Sequence, residues 1–303
     1  MDLLMISMSE GGFHMRKGIT LAIYGAAIGD IWGSRWEFDA HKPESLDEAL
    51  KLRDGSSWTD DTVMTAALAD AIIQWGASEP KEGRNLSLLS DFAVREMRGY
   101  GRRYPASYGC GFALWLASKD PKPYNSLGNG AAMRISPAGL FASSLSEAVG
   151  MADALTSVTH NHPEGMDCAR AVAALVFLAK EGKSKKEMRE YLKKNHEEIF
   201  RKVSEMNLGD LHRTYMFNET SMGTVPQAIW CFLSSKSFSD CLARSLYIGG
   251  DSDTLAAIAC SIAAPFYGDS QAHPFARKAI GIIPSGIDAC FAFFSDLFLR
   301  YNP

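Results

Sequence analysis

The sequence predicts an all-α protein, a single-domain orthogonal helical bundle. Three observations predict it. Strict apolar/polar alternation, the mark of a half-buried strand, is nearly absent from the 303 residues. Small and apolar residues recur instead at three- and four-residue intervals, and the turn-forming and capping residues fall between stretches of helical length. A chain of this length buries a full-sized core, and a composition of 47% apolar and 22% charged residues is globular.

From Gly18 to Phe38, Gly25, Gly29, Gly33 and Glu37 recur every four residues and share one face of a helix. Three glycines cost that helix about 1 kcal/mol each relative to alanine, which a close approach by a second backbone offsets. Residues 39–57 are polar, contain Pro43 and end in Asp54-Gly55-Ser56-Ser57, so they read as a loop. Trp58-Thr59-Asp60-Asp61-Thr62 then opens a helix whose face carries Thr65, Ala66, Ala69 and Ile73, ending at Trp75-Gly76. After a loop over 78–87, a helix runs from Leu88 to Gly99. Gly99-Tyr100-Gly101-Arg102-Arg103-Tyr104-Pro105 reads as a surface loop whose composition suits stacking on a base or holding phosphate.

A short helix over 112–117 precedes Gly128-Asn129-Gly130-Ala131-Ala132-Met133-Arg134. Its small residues let backbone amides approach an anion, with Arg134 able to add a charge, although no nucleotide-loop pattern matches. Thr159-His160-Asn161-His162-Pro163-Glu164-Gly165 opens a long helix to Ala179. Two histidines two apart invite a zinc reading, but no third ligand stands at the right spacing, so capping or hydrogen bonding is expected of them. The charged stretch 180–201 reads as a solvated helix. Further helices start at Gly223 and over 238–247, and the second delivers the chain to Gly249-Gly250-Asp251-Ser252-Asp253-Thr254. Ala256, Ala257, Cys260, Ala263 and Ala264 then make a small-residue face able to meet the glycine stripe, which would bring Glu37, Asp251 and Asp253 together. Phe291, Phe293, Phe294, Leu297 and Phe298 are expected in the core.

A net charge of -4 argues against a generic nucleic-acid surface and leaves a nucleotide substrate open. The six cysteines are scattered without a C-x-x-C pair and read as reduced core residues. No run of 18 apolar residues suggests a membrane span, and Met1 to Met8 lacks the regions of a signal peptide, so the cytoplasm is expected. The amphipathic pattern begins near Lys17, making residues 1–17 an extension, with Met8 or Met15 as alternative starts, and 18–303 the functional domain.

Each acidic opening puts two carboxylates and a hydroxyl at a helix start, more charge than one cap and one dipole-complementing acid require. Glu37, Asp60, Asp61, Asp251 and Asp253, with threonine hydroxyls, offer only oxygen ligands, a set that selects Mg²⁺, Mn²⁺ or Ca²⁺ over zinc. Five negative charges in one partly buried cleft are costly without cations, and two divalent ions are the natural count. An EF-hand does not fit, because Leu255 and Ala256 stand where its third ligand and glycine belong.

Five segments together resemble the ADP-ribosylglycohydrolase family, in the family's order: Gly29-Asp30-Ile31-Trp32-Gly33 with Glu37, Trp58 to Thr62, Gly128 to Arg134, Thr159 to Pro163, and Gly249 to Thr254. The resemblance spans residues 18–268. It implies an all-α fold with two Mg²⁺ ions in a cleft, Mn²⁺ being a possible substitute, and hydrolysis of the bond between ADP-ribose and a protein side chain or small acceptor. It further implies that Thr59, Asp60 and Asp61 hold one ion, that Glu37, Asp251 and Thr254 hold or gate the other, and that Asp253 bridges them. Gly128, Asn129, Gly130 and Met133 would line the ADP-ribose site, with His160 or His162 near the ribose or phosphates, and Glu37 or Asp60 would be the catalytic base. Cys260 and Ala264 depart from the glycines of many relatives. Two rival readings are a non-catalytic ADP-ribose binder on the same scaffold and a metal-dependent phosphohydrolase, which the acids alone would equally suit.

Overall fold

The computed structural model describes residues 21–38, 41–78 and 85–301. The proposed extension 1–17 lies outside them, as does the side chain of Phe298. Among the described residues every regular element is a helix, and the one isolated β-bridge pairs Gly128 with Thr220. None of these helices is long and apolar enough to cross a membrane.

Helix α1 (Tyr24–Gly33) runs through the core with all its residues buried, and it lies against a helix from the far end of the chain, Ser252–Tyr267. The contact is backbone on backbone. A Cβ on Gly25 would stand 2.5 Å from the Cys260 carbonyl oxygen, one on Gly29 2.2 Å from Ala256, and one on Gly33 2.4 Å from Asp253 Cα. The expected union of glycine stripe and small-residue face is therefore present. Its consequence is positional, because the end of α1 meets the acidic start of the later helix.

Glu37 is not on α1. The helix stops at Gly33, and Trp36 N–H closes a turn onto the Gly33 carbonyl at 2.7 Å. In this turn, off the helical path, Trp36 is buried with the Arg53 guanidinium 4.1 Å over its ring. The polar stretch 39–57 also holds one helical turn, α2 (Leu46–Ala49), where Ser45 accepts from Glu48 N–H. Helix α3 (Asp60–Ser78) follows and packs on α4 (Leu86–Arg103). The loop expected over 99–105 is helical to Arg103: Tyr100 is buried with its hydroxyl on Asp70, and Gly101 leaves room for Leu116. Arg102 and Arg103 occupy the last turn, where cations complement the helix dipole.

Helices α5 (Cys110–Ala117), α6 (Gly130–Met133), α7 (Ser136–Phe141) and α8 (Leu145–Thr156) lead to the long α9 (Pro163–Lys180). The charged stretch is two helices, α10 (Lys185–Asn195) and α11 (Glu197–Glu205), broken at His196. That residue is buried with Nδ1 2.8 Å from Asp167, an anchor that a continuous surface helix could not provide. Helices α12 (Leu208–Thr214), α13 (Ser221–Ser234), α14 (Phe238–Tyr247), α15 (Ser252–Tyr267), α16 (Asp269–Ile280) and α17 (Ser285–Tyr301) complete the chain. In α17, Phe291 and Phe294 are buried, whereas Phe293 is 55% exposed on the opposite face. Four cysteines are buried, but Cys110 is exposed at the start of α5 and Cys290 is half-buried; none is paired.

Candidate active site

The site forms where the starts of α3 and α15 meet the turn after α1. Asp30, fully buried in the last turn of α1, organises the first acidic opening. Its carboxylate accepts from Thr59 N–H at 2.9 Å, Thr59 Oγ1 at 2.8 Å, Thr62 N–H at 3.1 Å and the Thr62 hydroxyl. Four donors on one carboxylate fix the angle at which α3 leaves the cleft. In the sequence Asp30 stands out only as part of the Gly29–Gly33 motif, with nothing to assign it a role. The available signal was a lone acid among residues that are otherwise small or apolar.

Asp61 joins the two openings. Its Oδ2 accepts from Thr254 Oγ1 at 3.1 Å, while its Oδ1 is buried and has no hydrogen-bond partner among the described residues. Asp253 accepts from Thr254 N–H at 2.9 Å. Glu37, Asp251 and Asp253 each place one carboxylate oxygen within 4.8 Å of the others, so the turn after α1 brings Glu37 to the cluster although it is not helical. Gly249 and Gly250 make the approach to α15 at φ +71° and +81°, a region that favours glycine. A Cβ on either would strike Lys42 or Tyr215, and Lys42 Nζ donates to the carbonyls of His212 and Tyr215, both at 2.6 Å, tying this wall together.

The electrostatics follow from crowding. Burial raises Glu37 to about 7, with Asp251 adding repulsion, and raises Asp60 to about 7, with Asp30 adding more. Burial first and neighbouring acids second push Asp61 and Asp253 well above the usual carboxylate range. Asp251 is raised by burial against hydrogen bonds that lower it, and Asp30, held by its threonines, reaches only about 6. Acids arranged this way retain protons unless cations neutralise them.

The Gly128–Arg134 segment is attached to the same cluster. Asn129 Nδ2 donates to Asp251 Oδ2 at 2.5 Å and to Thr224 Oγ1 at 3.0 Å. Its backbone N–H bonds the Glu219 carbonyl at 2.8 Å, and Ser221 Oγ donates to the Gly128 carbonyl at 2.7 Å. Met133 is buried behind the loop, with Cε 3.9 Å from where a Gly130 Cβ would lie. Arg134 turns inward and is 1% exposed, so it is no surface contact for an anion. Of the histidine pair, His160 is buried against the glycine loop, with Nε2 3.6 and 3.3 Å from the Cβ positions of Gly128 and Gly130. His162 is partly exposed and caps α9, its Nδ1 accepting from Glu164 N–H at 3.2 Å.

Residues 15–279 match the family described as ADP-ribosylglycohydrolase. The chain is 28% identical over 272 residues to the ADP-ribosylarginine hydrolase Tri1 of Pseudomonas putida (strain GB-1), covering 84% of this chain and 71% of the relative. It is 28% identical over 313 residues to the ADP-ribosylhydrolase ARH3 of Mus musculus, covering 82% and 83%. A solved structure titled ADP-ribosylglycohydrolase-related protein complex superposes with a TM-score of 0.63 at 22% identity, over 92% of this chain and 95% of that one, which shows a shared fold.

Proposed function

The chain belongs to the ADP-ribosylglycohydrolase family, and from that premise we propose that it is a Mg²⁺-dependent hydrolase that splits the glycosidic bond between ADP-ribose and a protein side chain or other acceptor, reversing ADP-ribosylation. Asn129 carries the reading. Its amide holds Asp251 of the acidic cluster while its backbone lies between the two loop glycines, so the residues assigned to ADP-ribose and those assigned to metal form one unit. Residues 18–303 are taken as that working domain, and unpaired cysteines suit the reducing cytoplasm.

The donor set fits a hard divalent cation. It has only oxygen ligands, three carboxylates share one small volume, and a buried Asp61 oxygen has no hydrogen-bond partner among the described residues. Thr59, Asp60 and Asp61 would hold one ion, and Glu37, Asp251 and Thr254 the other, with Asp253 between them; Mg²⁺ is the expected ion and Mn²⁺ a substitute. When bound, the cations supply positive charge that orients the ribose hydroxyls and the attacking water.

The chain's own residues supply the remainder. Glu37 and Asp60 keep partial solvent exposure, whereas Asp30, Asp61, Asp251 and Asp253 are buried. Asp30, Asp61 and Asp251 are also held by Thr59 and Thr62, by Thr254 and by Asn129. That difference supports assigning to Glu37 or Asp60 the removal of the water proton as positive charge develops at the anomeric carbon. Gly128, Asn129, Gly130, Met133 and His160 form the ADP-ribose side, and His162 supports it by capping α9.

The test is incubation with ADP-ribosylated arginine, ADP-ribosylated serine and small ADP-ribose conjugates, with Mg²⁺ and with EDTA. Intact ADP-ribose released only with Mg²⁺ is the expected product. AMP or free phosphate would assign phosphohydrolase chemistry instead, and calorimetric ADP-ribose binding without release would assign a binder.

A further inference from the structure

Arg134 is a fully buried guanidinium, 5.1 Å over the Phe112 ring. Its Nη2 donates to Thr159 Oγ1 at 2.8 Å and stands 3.4 Å from Nδ1 of His160, while Thr159 Oγ1 and His160 Nδ1 are 2.7 Å apart. The three groups form a closed triangle in which one member, the guanidinium, can only donate.

Two proton arrangements are available to this triangle. In the first, Thr159 donates its hydroxyl proton to Nδ1, accepts from Arg134, and the imidazole proton resides on Nε2. In the second, Nδ1 carries the proton and donates to Thr159, whose hydroxyl must then turn to the Thr156 carbonyl at 3.4 Å. The second arrangement keeps the 2.7 Å contact with its direction reversed, but it sets the Nδ1–H against a guanidinium N–H 3.4 Å away. The first is favoured because it leaves no two donors facing each other. Burial and the adjacent guanidinium also push the His160 pKa well below its ordinary value, so the ring is neutral and has one proton to place.

The other end of the ring gives this choice a use. His160 Nε2 has no hydrogen-bond partner among the described residues and, unlike His196 Nε2, is not sealed from solvent. It faces the Gly128–Gly130 loop at a distance where any side chain on Gly130 would crowd it. We propose that Arg134 is a positioning residue: by confronting Nδ1 with a group that can only donate, it holds His160 as the Nε2–H tautomer, a neutral donor set over the glycine loop for an oxygen of the ADP-ribose moiety. The ligand in this statement rests on the function proposed above. The tautomer does not.

The ¹⁵N resonances of the His160 ring in the full-length protein report the tautomer directly. A protonated Nε2 and bare Nδ1 are expected in wild type and in Thr159→Val, where Arg134 still faces Nδ1. In Arg134→Met a substantial Nδ1–H population is expected, with ADP-ribose affinity lowered about tenfold or more, the value of one hydrogen bond to a charged oxygen. Arg134→Lys, which retains a donor-only cation and serves if the methionine variant does not fold, should keep the wild-type tautomer. A wild-type ring protonated on Nδ1, or an Arg134→Met variant with unchanged tautomer and affinity, overturns the proposal. A wild-type protein that has the Nε2–H ring and fails to bind ADP-ribose at all would instead overturn the function while sustaining the role of Arg134.

Discussion

Gly29→Ala is a sharp test of how the fold positions the site. The new Cβ would lie 2.2 Å from the Ala256 backbone, against 3.4 Å for ordinary contact, so α1 and α15 must part by about 3.4 − 2.2 = 1.2 Å. Neither side of this contact is a flexible side chain. Overpacking costs about 1–3 kcal/mol, and a backbone clash belongs at the upper end, while alanine recovers about 1 kcal/mol of helix propensity. The net loss is about 2 kcal/mol, or a fall in Tm of about 4 °C for a chain of this size. The functional loss should be larger. Thr254 sits on α15 and Asp61 on α3, and their 3.1 Å hydrogen bond does not survive a shift of that size. Calorimetric scanning with Mg²⁺ titration measures both effects. Gly99→Ala is the matched control, since its Cβ meets nothing nearer than the Glu96 carboxylate of its own helix at 3.9 Å, and it should raise stability by up to about 1 kcal/mol. If Gly29→Ala is as stable as Gly99→Ala and binds Mg²⁺ like wild type, the close crossing does not position the acids.

Three other outcomes follow from the same geometry. Glu37 and Asp60 hold protons up to about 7 in the cation-free protein, above their unfolded values, so their contribution is fully present below about pH 4 and is lost as pH rises through 7. Tm without metal should therefore fall between about pH 4 and 8, and Mg²⁺ at about 100 times Kd should restore about 2.7 kcal/mol at pH 8 but much less at pH 5, where protons compete; an equal Mg²⁺ effect at both pH values contradicts this. Asn129→Ala frees Asp251 and should lower kcat/KM for ADP-ribose release about 10- to 100-fold, from the loss of one charged hydrogen bond; wild-type kinetics would remove Asn129 from the site. Lys185→Met removes an ammonium that donates to the carbonyls of Phe232 and Ser235 at 2.7 and 2.6 Å, which Ser235 Oγ and the Tyr267 hydroxyl continue to serve, and should cost about 1 kcal/mol in urea unfolding while leaving turnover per folded molecule unchanged.

Much of the architecture was legible because it depends on local pattern. Glycines every four residues and a small-residue face announced the α1–α15 crossing, and paired acids ahead of alanine-rich runs marked both walls of the cleft. What escaped depends on tertiary surroundings. Tyr100 keeps α4 helical past two glycines because its ring is buried, and His196 breaks a charged run because Asp167, on α9, receives it. Glu37 reaches the cluster by a turn rather than along a helix, which periodicity alone could not distinguish. Asp30 and Arg134 are buried polar groups whose partners lie 29 and 25 residues away or more, so their roles become visible only once Thr59 and Thr159 are placed beside them.

The central claim is that the acids at the starts of α3 and α15 hold divalent cations for cleavage of an ADP-ribose linkage, and Asp253→Ala tests it most directly. Its carboxylate is buried, shares a 4.8 Å volume with Glu37 and Asp251, and is crowded electrostatically by Asp61 from the other wall. Mg²⁺ binding by calorimetry and ADP-ribose release from a modified peptide should both be lost, while circular dichroism shows the helices intact. A folded Asp253→Ala variant that releases ADP-ribose at the wild-type rate would contradict the account.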